Sequence, residues 1–225
     1  MNPVITTPLA QATRPRRASR RVTFAALLAG LLVPTAALAG AAPASAAMPT
    51  CDGKTATIVG TTGNDIIYGT AGNDVIVALD GQDRVYGYGG NDTICGGNDG
   101  DWLLGGNNND VLRGGAGGDT LNGDDEDSTS PGDDKLYGES GYDWLIGGPG
   151  KDNLQAGENG ETDLLHAGPG DDVLNTLDAD NLDVIDAGTG LDTCLRDPGD
   201  QYWTSPYGGS GVGSCEVGPG YAPIR

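Results

Sequence analysis

Phenylalanine and histidine each occur once in the 225 residues, as Phe24 and His166. Phe24 lies in the first fifty residues, so the rest of the chain has no phenylalanine to build a conventional packed core. The solitary histidine removes H-E-x-x-H, and no G-x-S-x-G is present. Ser140, in Gly138-Glu139-Ser140-Gly141, belongs to a repeated loop. Catalysis needs groups that converge in a pocket, and the expectation is that the chain is not an enzyme. Basic residues are also scarce, 12 against 32 acidic, for a net charge of −20. Such a chain repels itself until something cationic binds, and nucleic acid is excluded as a partner.

No apolar run reaches the ~20 residues of a spanning helix. The longest, Val22–Leu38, is interrupted by Gly30 and Pro34, so stable membrane insertion is not expected. The stretch follows Arg14, Arg16, Arg17, Arg20 and Arg21 in a segment without Asp or Glu, which reads as an export signal. The expected boundary is 1–47, with a cut after Ala46 or Ala47 and Ala37-Leu38-Ala39 as the alternative. Ser19-Arg20-Arg21 leaves twin-arginine export open beside general secretion. The expected location is extracellular.

What the chain has in abundance is glycine, 40 residues, and its placement is periodic. A nine-residue pattern, Gly-Gly-x-Gly-x-Asp-x-aliphatic-x, starts at Gly60, runs to Asn122 and resumes after an insertion to end at Leu195. Its sixth position holds Asp65, Asp74, Asp83, Asp92, Asp101, Asp110, Asp119, Asp134, Asp143, Asp152, Asp163, Asp172, Asp183 and Asp192. Two places later stand Ile67, Ile76, Val85, Ile94, Leu103, Leu112, Leu121, Leu136, Leu145, Leu154, Leu165, Leu174, Ile185 and Cys194.

Each unit divides into a six-residue loop, where glycine permits positive φ, and a three-residue strand whose central aliphatic points inward. So short a strand cannot stand alone, and stacked units would fill a narrow interior, as in a solenoid. At the fourth position Asp99, Asn108 and Asn181 replace glycine, and these types best tolerate a left-handed backbone. The fold class is therefore all-β, a right-handed β-solenoid of nonapeptides. Residues 48–59 form an N-terminal cap segment, 60–195 the solenoid, and 196–225 an irregular C-terminal cap. The acidic insertion near 123–131 is expected to bulge as a solvated loop, and the units around Glu161 and Asn181 carry extra residues.

The repeat resembles the RTX, or hemolysin-type, calcium-binding repeat family, whose units form a parallel β-roll with two units per turn. The resemblance covers roughly residues 60–195. It implies Ca2+ as the bound ion, several per chain, each between the loops of units n and n+2. The implied ligands are the Asp carboxylates above with carbonyls of the second and fourth loop positions: Thr61 and Gly115, and Gly63, Gly72, Gly81, Gly90, Gly117, Gly141, Gly150 and Gly170. Calcium accepts six to eight oxygens at flexible geometry, whereas magnesium demands a tight octahedron and keeps its waters. Aspartates that only make turn hydrogen bonds would account for Asp in loops but not for a ladder of carboxylates. Departures near Leu79-Asp80, in the insertion, and at Glu161 and Asn181 weaken particular sites.

Four cysteines in an exported chain suggest two disulfides. On a straight roll Cys51 and Cys194 lie too far apart to meet the ~7 Å limit between Cα atoms, so the expected pairs are Cys194–Cys215 and Cys51–Cys95. By parity, odd units place Ile66, Tyr68, Tyr86, Trp102, Leu104, Trp144, Ile146 and Leu164 on one outer face. Strand propensity accounts for such residues, and so would a contact surface for a cell-surface glycan or for self-association. Three classes result: a calcium-binding structural or surface module, a carbohydrate-binding or adhesive protein, and a small glycan-active enzyme, with the first favoured.

Overall fold

The computed structural model describes residues 47–125, 129–157, 161–177 and 183–202, together with the backbone of Val4–Ile5. Among the described residues there are strands, turns and bends but no helix. The strands form two parallel sheets, one of nine strands and one of eight, and consecutive strands of the repeat alternate between them. Two nonapeptides therefore make one turn, as the family resemblance implies.

The x-aliphatic-x triplets set the register. In the first sheet Ile67, Val85, Leu103, Leu121, Leu145, Leu165 and Ile185 are successive partners. In the second, Ile76, Ile94, Leu112, Leu136, Leu154, Leu174 and Cys194 are. All are buried, and together they form one core cluster. The cluster also takes in Ala78, Ala156, Ala167 and Ala187, which stand at the first loop position where other units have glycine. Each inward aliphatic contributes roughly 1.5–3 kcal/mol on burial.

Left-handed backbone occurs where the fourth-position substitutions foretell it, at Asp99 (φ 70°) and Asn108 (φ 71°). Asn181 lies outside the described residues. The second loop position adopts the same conformation with less tolerant types, Leu79 (φ 89°), Tyr88 (φ 75°) and Glu139 (φ 76°), which the sequence did not indicate.

The segment from 48 to 59 does two jobs. Ile58–Val59 extends the second sheet beside Ile76–Val77, with Ile58 against the end of the core. Ahead of it, Thr50–Cys51 and Lys54–Thr55 pair as an antiparallel hairpin whose side chains reach three strands of that sheet. Cys51 is bonded to Cys95, with Cα atoms 5.8 Å apart, as expected. Asp52 accepts from Arg113 at 2.9 Å, and Lys54 Nζ donates to Thr93 Oγ1 at 2.8 Å. Cys51, Ala56 and Val77 form a small second core. At the first sheet's edge, Val4–Ile5 pairs in parallel with Ile66–Ile67.

The insertion begins later than the sequence suggests. Gly123 stays on the roll, donating its N–H to the Ile146 carbonyl (2.9 Å) and accepting from Gly106 N–H (2.8 Å), and Asp124 is buried. The extra residues leave after Asp124 and return at Thr129 and Ser130, whose amides both donate to Asn107 Oδ1 at 3.0 Å. Past the last repeat, Gln201–Tyr202 pairs with Val184–Ile185, so the strand ladder runs one rung into the segment expected to be an irregular cap. Cys194 is buried; its expected partner Cys215, with Trp203, Tyr207 and the rest of that tail, lies outside the described residues.

Candidate metal centre

The aspartates stack with the turns. Every one from Asp65 to Asp192 is at most 8% exposed. From Asp65 to Asp172 the N–H of each donates to Oδ1 of the aspartate one turn on: Asp65 to Asp83 at 2.7 Å, Asp101 to Asp119 at 2.7 Å, Asp134 to Asp152 at 2.8 Å and Asp163 to Asp183 at 2.7 Å. The spacing is 18 residues in regular turns, 24 across the insertion and 20 where a unit carries two extra residues. Two interleaved ladders result, and Oδ1 is committed to them.

Oδ2 is a different matter. In Asp83, Asp92, Asp101, Asp110, Asp119, Asp134, Asp143, Asp152, Asp172 and Asp192 it is buried and has no hydrogen-bond partner. An ionised carboxylate oxygen left so carries a desolvation penalty of ~1–3 kcal/mol or more. Glycine makes room for it: a Cβ at Gly96 would collide with Asp101 Oδ2 and the carbonyl of Gly114, and a Cβ at Gly114 would meet Asp119 Oδ2 and the carbonyl of Gly138 in the same way. Bare carboxylate oxygens thus lie beside stacked main-chain carbonyls, in cradles walled by glycine at most turns, by Ala78, Ala156, Ala167 and Ala187 at four and by Thr176 at one. Among the described residues no three carboxylate, imidazole or thiolate groups converge. An ion held in these loops would therefore meet few charged ligands and would take its other oxygens from carbonyls, a donor set that suits a hard cation of flexible geometry such as Ca2+.

The carboxyl pKa values register the same imbalance. Burial pushes Asp110 up to about 9 and Asp134 to about 8 from an ordinary 3.8. Asp92, Asp101, Asp119 and Asp152 rise to about 7, and Asp83, Asp143 and Asp172 to about 6, again chiefly through burial. The donated aspartate amide opposes the shift at each, while neighbouring carboxylates add to it. Asp124 raises Asp110, Asp134 and Asp152 in this way.

The glycines implicated with the aspartates also stack. A Cβ at Gly81 would meet the backbone of Gly63, one at Gly90 that of Gly72, one at Gly141 that of Gly117, and one at Gly170 that of Gly150. At the second position Gly115 lies against the carbonyl of Gly97. Gly97, Gly106, Gly148, Gly168 and Gly188 occupy that same column, and the second glycine of the repeat was the signal for them.

The first two loops are built otherwise. Thr61 N–H and Oγ1 both approach Asp65 Oδ2, at 2.6 and 2.9 Å, and Thr70 N–H and Oγ1 approach Asp74 Oδ2 at 2.7 and 2.8 Å. Neither Thr61 and Gly63 nor Thr70 and Gly72 adopt positive φ.

On the outer face of the first sheet, Tyr68 stacks on Tyr86 with centroids 5.2 Å apart, Tyr88 stacks near both, and Trp102 meets Tyr86 edge-on at 5.1 Å. Trp144 is 47% exposed. His166, on the same sheet, has Nδ1 3.0 Å from Asp186 Oδ2 at the surface.

The family model for the RTX calcium-binding nonapeptide repeat matches the chain in four copies, over residues 59–94, 95–129, 128–160 and 159–194. No curated protein matches it.

Proposed function

The chain belongs to the RTX calcium-binding nonapeptide repeat family, and on that premise we propose that it is a secreted, non-catalytic protein that folds as several calcium ions fill its loops and then serves outside the cell as a structural or surface module. The column of buried Oδ2 atoms without donors carries this reading. Without a cation those oxygens destabilise the roll they line; with one, the same charge holds successive turns together, so that binding and folding become a single equilibrium. Asp83 to Asp192 would supply the carboxylates, and carbonyls of the second and fourth loop positions the remaining oxygens. A chain of this charge passes through low-calcium surroundings expanded and compacts where calcium is abundant.

Far-UV circular dichroism of residues 48–225 during a calcium titration, with magnesium as control, tests this. A cooperative gain of strand signal specific to calcium is expected. A fully folded, unresponsive metal-free protein would refute it.

The aromatic cluster favours a second reading, a carbohydrate-binding or adhesive role. Ring faces and a groove lined by Gln82, Arg84 and Trp102 are the chemistry that a sugar's apolar face and hydroxyls accept. Glycan-array binding lost on Trp102→Ala and Trp144→Ala substitution would support it; binding unchanged by both, or absent from the wild type, would dismiss it.

A further inference from the structure

We infer that the residue at the second loop position decides which loops take an ion, and that Thr61 and Thr70 close the first two. This rests on the calcium-binding reading above and refines it, because Asp65 and its loop would otherwise count among the sites.

The argument is one of occupancy. In the first loop Thr61 Oγ1 lies 2.9 Å from Asp65 Oδ2 and 3.3 Å from the carbonyl of Gly63. In the second, Thr70 Oγ1 lies 2.8 Å from Asp74 Oδ2 and 3.2 Å from the carbonyl of Gly72. The hydroxyl thus stands between the carboxylate oxygen and the fourth-position carbonyl, the two groups a bound cation would bridge. Its single proton serves the carboxylate, and the threonine amide adds a second donor to the same oxygen. Two donors already satisfy that carboxylate oxygen, so a cation entering there would have to displace both.

The backbone agrees independently. In the third to seventh loops the second position is left-handed, at Leu79, Tyr88, Gly97, Gly106 and Gly115, whereas Thr61 and Thr70 are not. With the second residue left-handed, no amide bond to Oδ2 forms at Asp83, Asp92, Asp101, Asp110 or Asp119. The switch therefore needs both parts of threonine's arrangement, the hydroxyl and the backbone that aims its N–H inward.

The roll consequently starts with a turn that needs no metal. That turn lies beside the segment clipped by Cys51–Cys95, so the N-terminal end is complete before calcium arrives and offers the third and fourth loops a template to stack on.

The test counts bound calcium on the protein from residue 48 to 225 by isothermal titration and native mass spectrometry. The double variant Thr61→Gly/Thr70→Gly should bind more calcium than the wild type, by roughly one ion per substituted loop. Asp65→Asn/Asp74→Asn should leave the wild-type count unchanged, whereas Asp101→Asn should lower it. An unchanged count in the glycine variant, or a count lowered by Asp65→Asn/Asp74→Asn, would overturn the inference. A second measurement needs no substitution. In calcium-loaded wild type, through-hydrogen-bond NMR couplings should join the Thr61 and Thr70 amides to the Asp65 and Asp74 carboxylates, and their absence would also overturn it. A wild type that binds no calcium at all would instead sink the proposed function.

Discussion

At the N-terminal end of the carboxylate column, Asp65 and Asp74 receive their donors from threonine, and the hairpin beside them is fastened by a disulfide and by Asp52–Arg113. In the middle of the column, from Asp83 to Asp152, the same oxygen is buried with no donor. Both regions follow one repeat and share one register. The difference teaches that nine-residue spacing determines where a carboxylate stands, while the residue four places earlier determines what it is bonded to.

Removing calcium should split the two regions most. By hydrogen exchange, amides of the strands from Arg84 to Gln155 should lose their protection, while those of the hairpin and of Ile58–Val59 keep a measurable part of theirs. Uniform loss along the chain would break the comparison.

Acidity should come next, and with opposite signs in the two metal states. For Asp83, Asp92, Asp101, Asp110, Asp119, Asp134, Asp143, Asp152 and Asp172 the folded pKa lies above the unfolded one, so the unfolded chain releases protons first. The metal-free roll is therefore favoured below about pH 4 and loses stability as pH rises through 6 to 9. In calcium-free buffer, moving from pH 8 to pH 5 should increase strand content. In saturating calcium the same change should weaken the roll, because protons compete for the ligands. Denaturant midpoints in the two buffers decide whether the signs differ.

Leu112→Ala, in the middle of the aliphatic column and fully buried, should cost ~2–5 kcal/mol in calcium. Val59→Ala, at the partly buried end, should cost less in the same urea titration. Opening Cys51–Cys95, which closes a loop of sequence separation 44, should cost about 2–4 kcal/mol and should remove the residual protection of the hairpin in metal-free protein. Arg113→Ala should have the smallest effect, about 1 kcal/mol or less. It removes two exposed ion pairs, with Asp52 and Glu139, and a guanidinium 4.3 Å from the Tyr137 ring centroid. Thermal denaturation of the calcium-loaded variant would measure it.

Much of the roll was legible because its signal is periodic. Aliphatics from Ile67 to Cys194 land in one core and aspartates from Asp65 to Asp192 in its loops, since spacing alone places them. Distance removed only Cys51–Cys194 from the pairings, and the fold-back of residues 48–59 that brings Cys51 to Cys95 is a feature the spacing does not hold. What spacing does not encode is local bonding. Thr61 reads as one more loop residue until its hydroxyl is seen against Asp65. Asp124 reads as part of an acidic insertion, whereas the register keeps it on the roll above Gly148. Nor does spacing encode that Tyr88, in a loop, takes left-handed backbone opposite Gly106 and stacks near Tyr68 and Tyr86. The last rung, Gln201–Tyr202, follows no repeat and is recruited by the open edge of Val184–Ile185.

The aspartate ladder joins each turn to the one after it, and that has a mechanical meaning. Drawn from its C-terminal end, such a coil would pay out like thread from a bobbin. Each 18-residue turn would release about 60 Å of extended chain, and the 24-residue turn about 80 Å. The unwinding would halt at the turn that carries Cys95, which is tied to Cys51. On the calcium-binding reading proposed above, such a coil would behave as a line with one end made fast, would lengthen in steps, and would stiffen with the calcium around it.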